Sequence, residues 1–450
     1  MTTIERQLGS VVAKAMKRFD VPGVAVGIVH GDEEHRVARG VTCIDFPLDV
    51  DAQTLFQIGS TTKTFTGTVL MMLVEEGSLD LEAPVRRYLP SFKVKDADAT
   101  KRATVRHLIT HTGGWVGDYF EDTGRGDDAV RTIVKRMATK TKQITPLGSA
   151  WSYNNAGFYV AGHLIEKLTG ERYEDVVTKR IFQPLGMNTT FWFAEDVITH
   201  KTAIGHLSLA DGTLQVARPW GLTRSANPAG GIVSTIDDML KYARFHLGQG
   251  PKGVLKAATV KQMRKPLAEA GSMADAVGVT WLLEKVGGAQ IVKHGGSVNG
   301  HISEFLMVPA KDFGIAVVTN GSRGHELGRV VLDRALAEVL DIRAATPTFS
   351  SVTAPGDYTG RYDVGWGHFE VTKKGSGLVL TPQPSADALE KQPELASLLP
   401  PPLPIAMVTK DRFLVRGRFN AGARVEFLRN DDGDVAWLRH GGRIYTRDGE

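Results

Sequence analysis

One serine, Ser60, is followed three residues later by a lysine in the segment Phe56-Gln57-Ile58-Gly59-Ser60-Thr61-Thr62-Lys63. On a helix, residues three apart share a face, so the hydroxyl and the amine can meet. A serine hydroxyl is a poor nucleophile until a base takes its proton. A lysine serves as that base when burial, or the positive end of a helix, lowers its pKa. This is the chain's single Ser-x-x-Lys, although the pair alone also fits a helix-capping serine beside a surface lysine. Tyr153-Asn154-Asn155, the only Tyr-x-Asn among nine tyrosines, supplies a phenol able to pass protons beside an ammonium. Without such a partner it reads as a core tyrosine followed by turn-forming asparagines. His294-Gly295-Gly296-Ser297 closes an apolar run, and two positions without side-chain bulk let a substrate backbone approach closely. The Ser297 and Ser60 amides would then be candidates for an oxyanion hole. His-x-Gly also occurs at His111, His246 and His440, so only its strand context singles out His294.

The elements around these residues follow from periodicity. Ile4, Leu8, Val11, Val12 and Ala15 have helical spacing, and Pro22-Gly23 ends that helix before the apolar run Val24 to Val29. His35 to Thr42 reads as a second strand, joined through a Gly31-Asp32 turn. Thr61 to Glu76 is predicted helical, with Ser60 at its N-terminus. Gly113 to Asp128, with five glycines beside Trp115, Tyr119 and Phe120, is the most loop-like part of a helical middle. Strand character returns at Val277 to Lys285, Gln290 to Lys293, Ile302 to Val308 and Phe313 to Thr319, and Glu326 to Leu340 makes a closing helix. The expected fold is α+β: an antiparallel sheet flanked by helices, with a helical subdomain, over residues 1–342.

Residues 343–355, with Pro347 and Pro355 among Thr and Ser, read as a linker. Residues 356–450 hold eight short β-like runs, from Tyr358 to Tyr362 through Gly442 to Tyr445, spaced as in a small all-β barrel or sandwich. Pro400 to Pro404 is predicted to be a loop within it.

The ordered set Ser60-x-x-Lys63, Tyr153-x-Asn155 and His294-x-Gly296 resembles the penicillin-recognising serine hydrolases. The branch is that of class C β-lactamases, D-aminopeptidases and related carboxylesterases. The similarity spans roughly residues 5 to 340 and includes Arg106-His107-Leu108-Ile109-Thr110-His111-Thr112-Gly113-Gly114. It implies a β-lactamase/transpeptidase-like catalytic domain, with the C-terminal region similar to the lipocalin-like barrels of some members. It further implies Ser60 as nucleophile, Lys63 and Tyr153 as proton carriers, Asn155 in contact with substrate and Lys63, and the Ser60 and Ser297 amides as oxyanion hole. Histidine stands at position 294 where dedicated class C enzymes carry a carboxylate-binding lysine, and this resembles the esterase and D-aminopeptidase members instead.

Other chemistries fit less well. His107 and His111 lie four apart, but Leu108 replaces the glutamate of a zinc protease and no third ligand is evident, so no metal or other cofactor is expected. Gly295-Gly296-Ser297-Val298-Asn299 fails the Gly-x-Ser-x-Gly elbow at its last position. A net charge of +4 with scattered Lys and Arg gives no footprint for nucleic acid. The apolar cluster Val69 to Val74 is too short to span a membrane. One cysteine, Cys43, and an N-terminus without a secretory apolar run make a reducing cytoplasmic setting the expectation. Trp115 and Tyr119 are expected to line a substrate cleft. Arg439, Arg443 and Arg447, assigned to the final strand, offer a cation for a substrate carboxylate, Arg443 foremost.

The expected function is hydrolysis of esters or of amides and peptides, including D-amino-acid substrates, through an acyl-Ser60 intermediate. Two alternatives stay open: a transpeptidase or cyclase of the penicillin-binding thioesterase type, and a non-catalytic β-lactam receptor. The partner expected is a small molecule; the sequence carries no signal for oligomeric state.

Overall fold

The computed structural model describes residues 2–209, 211–352, 354–364, 367–375, 377–391, 399–417 and 419–448. The expected linker and barrel spans therefore fall in part outside the described residues. An eight-stranded antiparallel sheet runs in the order Glu33–Gly40, Gly23–His30, Phe313–Thr319, His301–Val308, Ala289–Val298, Leu282–Val286, Ala276–Val277, Ala268–Glu269. The N-terminal strand pairs with a late one, Val24 opposite Thr319, so the two ends of the sheet region close around the helical middle.

Gly23–His30 is buried along almost its whole length, which is why its sequence is a continuous apolar run rather than an alternation. Val24, Val26 and Ile28 pack under two helices, Thr3–Phe19 and Gly324–Val339, through Leu8, Val12, Leu327 and Val331. Ala25 and Val29 face the larger core on the opposite side. That core centres on the helix Thr62–Glu75, where Phe65 stacks on Tyr242 at 3.7 Å between ring centroids. Every residue from Thr62 to Leu73 is buried. Its threonines are accommodated there because their hydroxyls find acceptors: Thr64 donates to the Thr61 carbonyl, Thr68 to that of Thr64 and Thr66 to that of Pro228.

The run Val277 to Lys285, read from sequence as one strand, is broken. Gly278 donates to the Trp281 carbonyl across a turn with Thr280 at φ 65°, so the run forms a hairpin between two short strands. The C-terminal region resolves the sequence alternatives in favour of a closed barrel of eight antiparallel strands, each overlapping one of the eight runs. Its strand Leu403–Thr409 takes in Pro404, which the sequence had placed in a loop. Tyr358, Tyr362, Phe413 and Phe427 form an edge-to-face cluster in its interior.

Candidate active site

Ser60 lies in a single 3-10 turn, Gly59–Thr61, that leads into the buried helix. Two glycines make the turn possible. Gly59 adopts φ 50°, and a β-carbon on Gly296 would fall 2.0 Å from the Ile58 carbonyl and 2.8 Å from the Ser60 amide nitrogen. The strand Ala289–Val298 therefore passes against the backbone of Ser60, with the Ser297 amide beside Gly59. Ser303 secures this approach: its hydroxyl donates to the Ile58 carbonyl at 2.7 Å and lies 2.8 Å from the Thr61 hydroxyl. The strand pairs with Leu282–Val286 only as far as Lys293, so that edge carries no ladder partner from His294 to Val298 among the described residues.

Lys63 Nζ lies 2.9 Å from Ser60 Oγ and donates to the Ala229 carbonyl at 2.6 Å. The side chain is fully buried, and burial together with the nearby Arg443 charge holds its pKa well below that of an ordinary lysine, Asp118 opposing. Tyr153 sits beside Ser60, and its ring lies 5.0 Å from Lys63 Nζ. Burial pushes this phenol's pKa up. Burial thus favours the uncharged form of both groups beside one serine. His294 is also neutral: burial and the Lys63 charge bring its pKa down to about 3, while Nδ1 lies 2.7 Å from the Gly295 carbonyl. At neutral pH it presents no positive charge to a carboxylate.

The far wall of the site comes from the barrel. In the hairpin joining the strands Val435–His440 and Arg443–Arg447, the Gly442 carbonyl accepts from the Tyr153 amide at 2.7 Å. Arg443 lies 4.7 Å over the Tyr153 ring and forks onto Asp118, at 2.8 and 3.0 Å. Asp118 Oδ1 also accepts from Asn155 Nδ2 at 2.8 Å. Burial would raise the Asp118 pKa, but Arg443 and Asn155 together hold it below the usual carboxylate value.

Ser60, Lys63, Tyr153, His294 and Arg443 are thus brought together. Some sequence readings are corrected. The Asn155 amide goes to Asp118, whereas Lys63 bonds to Ser60 and Ala229. Trp115 is 1% exposed in the main core, with its ring 6.3 Å from Phe92. Tyr119 turns its hydroxyl to Glu121, in its own loop. Arg439 belongs to the strand before the last, paired with buried Glu426 and donating to the Trp151 carbonyl at 3.1 Å. Arg447 donates to the Thr359 and Val435 carbonyls. His107 and His111 do not share a helix face, because the helix Val105–Ile109 stops short of His111, which takes φ 59°. Sequence reasoning missed Asp118, whose one signal was a carboxylate in the glycine-rich loop.

Residues 8–340 match the Beta-lactamase family. The chain belongs to that family. This is a superfamily of serine hydrolases and acyltransferases. Penicillin-binding protein 4 of Amycolatopsis lactamdurans is 32% identical over 343 residues, covering 73% of this chain and 90% of the relative. Among solved structures, SurE superposes with a TM-score of 0.77 at 24% identity, covering 98% of this chain and 99% of that one. The D-amino acid amidase of Ochrobactrum anthropi SV3, complexed with L-phenylalanine amide, has a TM-score of 0.63 at 24% identity and covers 74% of this chain and 98% of its own. Among the described residues no helix is long and apolar enough to cross a membrane, and no group of three His, Cys, Asp or Glu side chains could hold a metal ion.

Proposed function

We propose that this beta-lactamase family member is an acyl-transfer hydrolase that cleaves esters or amides, D-amino-acid derivatives among them, through an acyl-Ser60 intermediate. The observation that carries the reading is Ser60 with the buried Lys63 amine at 2.9 Å, its pKa pulled well down, and the Tyr153 phenol beside it. The Lys63 amine accepts the Ser60 proton as Oγ attacks the carbonyl carbon. The oxyanion falls between the Ser60 and Ser297 amides. Collapse of the tetrahedral adduct breaks the bond to the leaving group, which takes a proton from Tyr153; Lys63 then returns a proton to the phenolate. Water repeats the sequence on the acyl-enzyme.

Neutral His294 disfavours efficient hydrolysis of β-lactams, whose carboxylate needs a cation. Arg443 is the cation left nearby, and a substrate carboxylate would reach it by exchanging with Asp118. The penicillin in the name of the Amycolatopsis relative adds β-lactams as candidate acylating agents.

Intact-mass measurement during incubation with p-nitrophenyl esters, D- and L-aminoacyl amides and a chromogenic cephalosporin tests the reading. A Ser60 adduct that forms and clears with product release is expected. An adduct that persists for hours with every substrate would make the protein a receptor instead. An added amine that captures the acyl group in place of water would make it a transpeptidase or cyclase.

A further inference from the structure

The segment Arg106–Gly114 contributes none of the groups used above, yet it delivers a histidine to the back of the catalytic tyrosine. His111 is 1% exposed, and its ring stacks on that of Tyr153 at 4.4 Å between centroids and 22° between planes. Its Nδ1 accepts from the Asn154 amide at 2.9 Å, which places the ring proton on Nε2. Its carbonyl accepts from the Ser152 amide at 3.0 Å. One residue therefore holds Ser152, Tyr153 and Asn154 at once, by two backbone bonds and one ring face. It does so in the left-handed region, at φ 59°, a conformation that side chains other than glycine adopt only where the surroundings enforce it.

We propose that His111 is a positioning residue for Tyr153, an imidazole that fixes the phenol's ring plane and the backbone carrying it so that the hydroxyl stays beside Ser60. This rests on the function proposed above. The ring nitrogens have divided duties: Nδ1 is committed to the backbone, and Nε2–H is buried with no partner among the described residues. The charged or titratable groups around the ring are Lys63, His294 and Arg443, with Tyr153 against its face. Three of these carry or can carry positive charge. Burial and those same neighbours push the His111 pKa well below the usual histidine value, which disfavours a further cation beside Lys63. A tyrosine free to rotate about its side-chain bonds would leave Ser60 with the lysine alone. Trp151, edge-on at 5.6 Å, and Phe158, at 5.3 Å, also pack against the imidazole.

The test begins by labelling wild type and Ser60→Ala with a fluorophosphonate probe; label persisting in Ser60→Ala would overturn the catalytic reading itself. With Ser60 established, His111→Phe keeps a ring but loses the Nδ1 acceptor, and His111→Asn keeps an acceptor but loses the ring. Acylation by p-nitrophenyl acetate, measured per folded molecule by burst amplitude, is expected to slow about 10²-fold in each, the scale at which misplaced groups cost rate. The pH at which acylation reaches half its plateau is expected to move in both variants. Wild-type rate and pH profile in both would overturn the proposal while leaving Ser60 in place. Should neither variant fold, ¹⁵N-histidine NMR of the wild-type protein decides: His111 is expected as the Nε2–H tautomer without titration between about pH 5 and 9. An Nδ1–H tautomer, or protonation within that range, would overturn it.

Discussion

The two walls of the site are built differently. Ser60 and Lys63 come from one turn and one helix, three residues apart, and their contact follows from helical geometry once that helix is buried. Asp118 and Arg443 are 325 residues apart, and their fork exists only because the barrel docks its Gly441–Gly442 turn beside Tyr153. The first wall holds the proposed reacting atoms and the second holds the groups that frame them. The contrast teaches that the nucleophile's chemistry is local while the shape and charge of its surroundings depend on the whole chain. It also predicts unequal mutational costs.

The largest expected effect is at the local wall. Ser60→Ala should abolish both fluorophosphonate labelling and turnover while leaving the melting temperature close to wild type, because the hydroxyl is the only group lost. Full labelling of that variant would remove the basis of the comparison.

Next in size are the two proton carriers. Lys63→Met and Tyr153→Phe should each lower acylation about 10²- to 10⁴-fold, and the double variant should lose little more than the worse single one, because the groups act on one oxygen. Additive losses would show that one of them is only structural.

The same lysine gives a pH prediction whose sign is fixed by burial. Its folded pKa lies well below 10.5, so between the two values the unfolded chain binds the extra proton and stability rises with pH. Relative to Lys63→Met, wild type should gain melting temperature as pH climbs through that window. Acylation should rise with pH through the folded value, as Lys63 loses its proton. His294, with a pKa of about 3, should contribute no inflection near neutrality. A flat wild-type-minus-variant difference would mean that Lys63 stays charged in the fold.

At the long-range wall, Arg443→Ala leaves the largely buried Asp118 without its fork and should cost about 3 kcal/mol of stability. Asp118→Asn, which keeps the size and removes the charge, should cost less and should raise the rate on carboxylate-bearing substrates relative to their neutral amides. Thermal melts with paired substrates would check both. An Arg443→Ala variant with wild-type stability and an unchanged substrate ratio would mean that the barrel is only a neighbour.

Interactions short in sequence were legible without the structure. The helix at Ser60, the apolar run Val24–Val29 and the eight barrel strands each declare themselves through period and turn residues, because a segment's amphipathicity reflects the face it must bury. Family motifs named Lys63 and Tyr153, but the direction in which each pKa moves was decided by burial, a property of the packed protein. Trp115 shows the opposite limit: an aromatic in a glycine-rich loop has the same composition whether it lines a cleft or, as here, fills a core. Gly278–Trp281 breaks what reads as one strand, with the Val279 amide donating to the Met263 carbonyl at 2.9 Å, a tertiary bond no local pattern records. The amino-acid sequence by itself determined the Ser60–Lys63 spacing, its helix and the main strand runs, because those depend on neighbours a few residues away. Only the tertiary structure decided that Arg443 meets Asp118 and that His111 backs Tyr153, because such contacts depend on how separately legible elements pack, and spacing along the chain does not encode distance across it.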